Sequence, residues 1–430
     1  MLSGGNASMP INADIFNTIQ ALTRERFDEL VCIRRHLHRH PELSGQEVKT
    51  AQYLANKLNQ LGLDTHTGKG GHGLWADLNI NPSQPTVALR VDMDALPITE
   101  VNPVPYRSKT PGVMHACGHD VHAAIGIGVA AVLTQMRTAL PGNIRFIFQP
   151  EEEEITGAQR MIRAGALADP SPSAIFGVHV SPLPAGVIGW TDGLFLAGFD
   201  HYLVTITPLQ GHPRPPAHLN AIAQRGCQAI QRFNRWHLPE TWTEMAAFWE
   251  MMQTEPDQLK RFIIYDAAPN EENPELWPGQ FGLGIKAANT HLRKAALGRV
   301  RTRLNTICRA TQTRYRIEPM GSMIDMRNDP QLVRTNLPAL EKALGSEHVL
   351  QIKAAFPFNC EDFAYYTKRI PGAMVWLGAA NPTEGKYAML HTPDFDVDER
   401  CIETGTVAMA ALLIHTLSLL SDSMPQHVTP

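Results

Sequence analysis

Apolar positions early in the chain recur at helical spacing. Leu22, Phe27, Leu30, Val31 and Ile33 share one face of a helix predicted over 19–43, with Pro41 at its end. A second helix is predicted over 47–61, closed by Gly62. The period then alternates between short apolar runs and helical stretches. Strands are predicted at 86–91 (TVALRV), 143–149 (NIRFIFQ) and 174–180 (AIFGVHV). Helices are predicted between them, over 119–140 and 156–168. Such alternation predicts an α/β sheet with helices on both faces.

The pattern changes after about residue 197. The run 202–207 (YLVTIT) alternates like a strand with one exposed face, and a Pro-rich turn follows over 211–216. The stretch 236–277 holds four of the seven Trp (Trp236, Trp242, Trp249 and Trp277) and many acidic residues. A basic helix is predicted over 289–313. The α/β rhythm returns after about Met320, with a strand at 373–377 (AMVWL) and a terminal helix over 397–420. The chain is therefore expected to form a discontinuous domain, 1–196 with 319–430, interrupted by a smaller one over 197–318.

Composition narrows the functional classes. Among 430 residues, 38 are basic and 42 acidic, giving a net charge of −4. Apolar residues at 43% and charged residues at 19% exclude a disordered chain. The balance offers no basic footprint for nucleic acid. Six Cys stand without paired spacing, so free thiols in a reducing compartment are expected. The first 16 residues lack a positive segment followed by an apolar one. The apolar run 407–414, followed by His415, falls short of the ~18 residues of a membrane span and is expected to be a core helix. A cytoplasmic location is the resulting expectation.

The densest chemistry lies in His115-Ala116-Cys117-Gly118-His119-Asp120-Val121-His122, just before a predicted helix. A thiolate and imidazoles bind borderline cations such as zinc. A buried Cys among unrelated His, or a Cys nucleophile with a His base, are the alternatives. The run Glu151-Glu152-Glu153-Glu154 directly follows a predicted strand. It is either a solvated loop or a pair of working carboxylates, one holding a cation while its neighbour takes a proton from water. Asp92-Met93-Asp94 ends another strand, His179 lies within a third, and His391 sits in LHTPDF. A lone His on a strand is usually a core residue. Jointly these residues mark one edge of one inferred sheet.

The segments RRHLHRHPELSGQE (34–47), ALRVDMDALPITE (88–100), MHACGHDVHAA (114–124), FIFQPEEE (146–153), FGVHVSPLPAGVIG (176–189), EDFAYY (361–366) and LHTPDFDVDE (390–399) together resemble the M20 metallopeptidase family. The likeness is to its amidohydrolase branch of aminoacylases, hippurate hydrolases and auxin-conjugate hydrolases. The resemblance implies a mixed-sheet catalytic domain interrupted by an inserted α+β domain of the lid or dimerisation type, and possible homodimers through it. It implies a hydrolase that cleaves N-acyl amino acids or related amides with two divalent ions, zinc or manganese. Cys117, His119, Glu153, His179 and His391 match the family's metal ligands, and Glu152 matches its general base. Asp92 matches an acid that orients a ligand, a task Asp94 could share. His212 matches an inserted-domain residue that helps to hold the reacting carbonyl. A dipeptidase or carboxypeptidase of the same fold and a non-catalytic binding protein are the competing expectations. Two segments depart from the family. The usual Gly-rich GxGGHA reads LQGHPRPP over 209–216, and no Asn-Val-Ile-Pro stretch is present.

Overall fold

The computed structural model describes residues 13–270 and 277–423. The first twelve residues, where the lack of a leader was read, and residues 271–276 of the Trp-rich stretch lie outside the described residues. Two units organise the rest. One comprises Met1–Gly193, Asn328–Ile352 and Tyr365–Pro430; the other comprises Leu194–Arg327 and Lys353–Ala364.

The first unit begins with α1 (Ala13–Arg39) and α2 (Val48–Gln60). Next come β1 (Asp64–Lys69), β2 (Gly73–Leu78) and β3 (Thr86–Asp92). After α3 (His119–Gln135) lie β4 (Asn143–Gln149), the short α4 (Gly157–Arg163), β5 (Ala174–Pro184) and β6 (Ile188–Trp190). The second unit holds β7 (Leu194–Leu196), β8 (Gly198–Pro208), α5 (Pro216–Gln231), α6 (Trp242–Thr254), β9 (Ile263–Pro269), β10 (Gln280–Ala287), α7 (Thr290–Thr311), β11 (Thr313–Met323) and β12 (Met326–Arg327). The chain then returns to the first unit with α8 (Pro330–Leu344) and β13 (Val349–Gln351). It ends with α9 (Ala364–Thr367), β14 (Gly372–Ala380) and α10 (Cys401–Asp422).

Eight strands of the first unit form a mixed sheet in the order β1-β2-β4-β3-β5-β14-β6-β13. Its centre, β4-β3-β5-β14, is parallel. Every residue of β3 and β4 is buried, which fits strands covered on both faces. The first predicted helix starts and stops earlier than its periodicity suggested, at Arg39 rather than 43, because the chain turns into the Pro41 segment ahead of the strand ends. The helix expected over 156–168 is only seven residues long.

Helix α10 corrects one expectation. Its apolar character runs past His415, so its 22 residues are long and apolar enough to cross a membrane. Yet 67% of that window is buried, and the helix packs on α1, α3 and α8. It is the core helix of the first unit.

The second unit is an antiparallel sheet, β11-β8-β10-β9, with α5 and α7 over one core. Val204, Ile206, Phe281, Leu283 and Ile285 project from the strands against Leu219, Ile222, Ala296, Val300 and Leu304. Helix α6 starts with a capping box between Thr241 and Glu244. Its Trp249 stacks on Phe356, and Phe248 meets Phe358.

Candidate metal centre

Strands β4, β3 and β5 end along the same sheet edge. Asp92 pairs with Gln149 and Arg90 with Gly177, so Asp92, the residues after Gln149, and His179 arrive at one level. Helix α3 starts beside them. Gly118, preceding its first residue, has φ of 82°, and a Cβ there would lie 2.5 Å from Val180 Cγ2. Only glycine permits both that conformation and that approach.

Five donors separated by up to 274 residues converge here. Cys117 Sγ lies 3.6 Å from His179 Nε2 and 3.3 Å from His391 Nε2. Glu153 Oε1 lies 3.5 Å from His391 Nε2 and 3.8 Å from His119 Nε2. Glu152 joins His119 and Glu153 in a further group whose donor atoms lie within 4.8 Å of one another. His391 adopts φ of 61° and its backbone N–H donates to Ala116 O, which ties its loop to the Cys117 segment.

Hydrogen bonds fix which lone pair each imidazole presents. His119 Nδ1 lies 2.9 Å from Asp94 O, and a carbonyl only accepts. The proton is therefore on Nδ1, and Nε2 faces the cluster. His179 is set the same way, with Nδ1 donating to Val180 O at 2.8 Å. His122 is the opposite case. Its Nε2 accepts the Val180 N–H at 2.9 Å, so Nδ1–H donates to Asp92 Oδ1 at 2.6 Å. His122 has no lone pair left for a cation, although Asp92, His119 and His122 also cluster. It supports Asp92, which also accepts from Arg90 at 2.7 Å. Asp94, not Asp92, receives the Nδ1 proton of His119. The sequence carried one sign of His122: three residues after His119, it lies one helical turn away on the same face.

The four consecutive Glu separate into different environments. Glu151 takes a left-handed backbone, its N–H donates to Glu47 Oε1 at 2.9 Å, and its carboxylate pairs with Arg160. Glu154 is exposed. Glu152 and Glu153 turn to the cluster, with the Glu153 N–H donating to Asp94 Oδ2 at 3.0 Å.

The electrostatics call for a cation. His119 Nε2 and Glu153 Oε1 are buried without a hydrogen-bond partner. Burial opposes charge on His119, but Asp92, Asp94 and Glu153 prevail and raise its pKa to about 10. Burial, with Glu153, Glu152 and Asp92 nearby, pushes the Cys117 thiol well above its usual value. Burial lowers His179 to about 3. One thiolate, three imidazoles and a carboxylate fit a borderline divalent ion.

A buried ionic network anchors the first turn of α3. Arg34 donates to Asp120 at 2.7 Å, with both side chains fully buried. His38 bridges Asp120 (2.8 Å) and Glu100 (3.3 Å). Burial disfavours the Asp120 carboxylate, but Arg34 and His38 hold it far below the usual range. His212 is not part of this centre's unit. It is exposed on the turn after β8, where its N–H donates to Leu209 O at 3.0 Å.

Comparisons with known proteins agree with this geometry. The chain is 34% identical over 398 residues to "Probable hydrolase sll0100" of Synechocystis, covering 91% of this chain and 96% of the relative. It is 30% identical over 404 residues to N-acetylcysteine deacetylase of Bacillus subtilis, covering 91% and 97%. Among solved structures, the Bacillus subtilis YXEP protein, described as a dinuclear metal-binding peptidase, superposes with a TM-score of 0.69 at 28% identity, covering 92% of this chain and 99% of the other. The model of peptidase family M20/M25/M40 matches residues 88–415, and the chain belongs to that family of hydrolases.

Proposed function

We propose that this chain is a metal-dependent amidohydrolase that cleaves the amide bond of N-acyl amino acids or related conjugates. One observation carries the reading: the donor groups Cys117/His119/His179 and Cys117/Glu153/His391 share Cys117, and the Glu152 carboxylate lies within 4.8 Å of donor atoms of His119 and Glu153. The five would hold two divalent ions, with zinc and manganese best suited to the donors. Bound there, the ions supply Lewis acidity toward a carbonyl and lower the pKa of water. Glu152 is the general base. Its carboxylate takes the proton of the attacking water and returns it to the nitrogen of the leaving amine. Asp94 orients His119, and Asp92, braced by Arg90 and His122, screens the buried positive charge around it. His212 is assigned to the reacting carbonyl, and the inserted unit to a lid that also pairs two copies. The name of the deacetylase relative supports the N-acyl class. Six unpaired cysteines support a cytoplasmic site of action.

The test is turnover of N-acetyl amino acids and dipeptides by the metal-loaded chain, with metal content measured alongside. Glu152→Gln is expected to lose about 10²- to 10⁴-fold in kcat while keeping its metal. Faster dipeptide cleavage would reassign the substrate class. Activity that survives full chelation, or no hydrolysis over a broad amide panel, would overturn the reading.

A further inference from the structure

Helix α7 carries Arg293, Lys294, Arg299, Arg301, Arg303 and Arg309 and no acidic residue over 22 positions, in a chain whose net charge is negative. Part of this charge is accounted for within its own unit. Arg293 pairs with Asp200, and Arg299 and Arg303 lie over the Phe233 ring. Arg301 and Arg309 form no ion pair among the described residues. Both border a cavity of about 470 Å3 between α7 and β11, together with Asn305, Arg314, Tyr315 and Ile317. Arg314 spends only its Nε, on Thr207 Oγ1 at 3.1 Å. The Tyr315 hydroxyl donates to Arg301 O at 3.3 Å, which sets its ring as one wall. Concave surfaces concentrate the field of like charges.

We propose that this groove binds a small organic diphosphate. Guanidinium groups match phosphate oxygens in bidentate fashion. Each phosphate carries about −1.5 to −2 charges at neutral pH, so two phosphate groups balance the three free guanidiniums. Arg301 and Arg309 stand eight residues apart, roughly 12 Å along the helix, so an anion with two charged groups can engage both. The volume lies within the range of small-molecule sites, and the Tyr315 ring with Ile317 offers an apolar wall for the organic portion.

The test is calorimetric titration of the metal-loaded full chain with ADP, pyrophosphate, adenosine and citrate. ADP and pyrophosphate should bind saturably and more weakly as salt rises, with adenosine silent. The double variant Arg301→Gln/Arg309→Gln should bind ADP at least tenfold more weakly, with unchanged thermal unfolding and unchanged hydrolysis in the absence of ADP. Arg301→Lys/Arg309→Lys should fall between. Four results would overturn the proposal: no saturable ADP binding, equal binding by the Gln variant, citrate binding as tightly as ADP, or a change of oligomeric state in the Gln variant.

Discussion

The two units bury different things. In the second, the interior is Val204, Ile206, Phe281, Leu283, Ile285 and their helical partners, and the charges of α7 lie outside it except for Arg293, which is buried and paired with Asp200. In the first, Arg34, Arg90, Asp92, Asp94, His119, Asp120 and His122 are buried almost completely. The second unit follows ordinary core logic, in which exclusion of apolar surface from water sets the structure. The first meets the high cost of burying charge largely by pairing; among its buried atoms without a partner are His119 Nε2 and Glu153 Oε1 at the cluster, and Glu47 Oε2, Asp120 Oδ1 and both ring nitrogens of His115. The contrast shows where to look for chemistry: at buried partnerless atoms that face further donors, as His119 Nε2 and Glu153 Oε1 face each other 3.8 Å apart.

Substitutions can break this contrast. Arg34→Met should be the most damaging to stability, by about 3–5 kcal/mol, because Asp120 stays buried without its main partner. Pairing it with Asp120→Asn should recover a large part of that loss in denaturant unfolding. Simple additivity would show that the two groups do not depend on one another. Leu283→Ala should cost the second unit about 2–5 kcal/mol through a cavity, with no polar second substitution able to restore it.

Asp94→Asn should act on the centre with little effect on overall stability. It neutralises the carboxylate whose Oδ1 lies 3.2 Å from His119 Nδ1, beside the backbone acceptor, so divalent-ion affinity should fall about 10- to 100-fold in competition with a chelating dye. Unchanged affinity would leave the Asp94 backbone carbonyl as the support of His119 and remove the carboxylate.

The smallest effect is on the pH dependence of the chelated chain. His119, raised to about 10, contributes stability that is complete below its unfolded value near 6.5 and is lost as pH climbs through 10. His179 and His115, lowered by burial to about 3 and about 4, act oppositely. Their contribution is present above 6.5 and is lost as pH falls toward 4. Stability of the chelated chain should therefore decline on both sides of about pH 6.5. Loading with a divalent ion should flatten the alkaline side, because the cation replaces the His119 proton. An alkaline slope indifferent to metal would separate His119 from the ion.

Much of the first unit was legible in the sequence because its signals are local. The run NIRFIFQ fixes β4 at both ends, and TVALRV falls one residue short of β3, whose last residue, Asp92, is polar for chemical rather than structural reasons. Strand β1, DTHTGK, has no apolar alternation and was invisible, since pairing with β2 rather than its own pattern makes it a strand. In the second unit, β10 (QFGLGIKA) alternates, but it is short and lies between the Trp-rich stretch and the basic helix, whose stronger patterns flank it. Strand β11 lay hidden behind the predicted end of the basic helix. The residues that cluster at the centre were nameable through the family resemblance of their segments. The division of labour between Asp92 and Asp94, and the spent lone pair of His122, depend on backbone atoms of β5 and of the segment after β3, which no spacing along the chain reveals.

Helix α10 has one further consequence. It is the last helix described and it lies against α1, the first, as well as α3. During synthesis, those earlier helices can pack on each other and α3 on the sheet, but the sides that meet α10 stay open until residues near Asp422 have been made. The first unit then cannot close fully until α10 has been made, so α1 completes its packing only with a segment some 360 residues further along the chain.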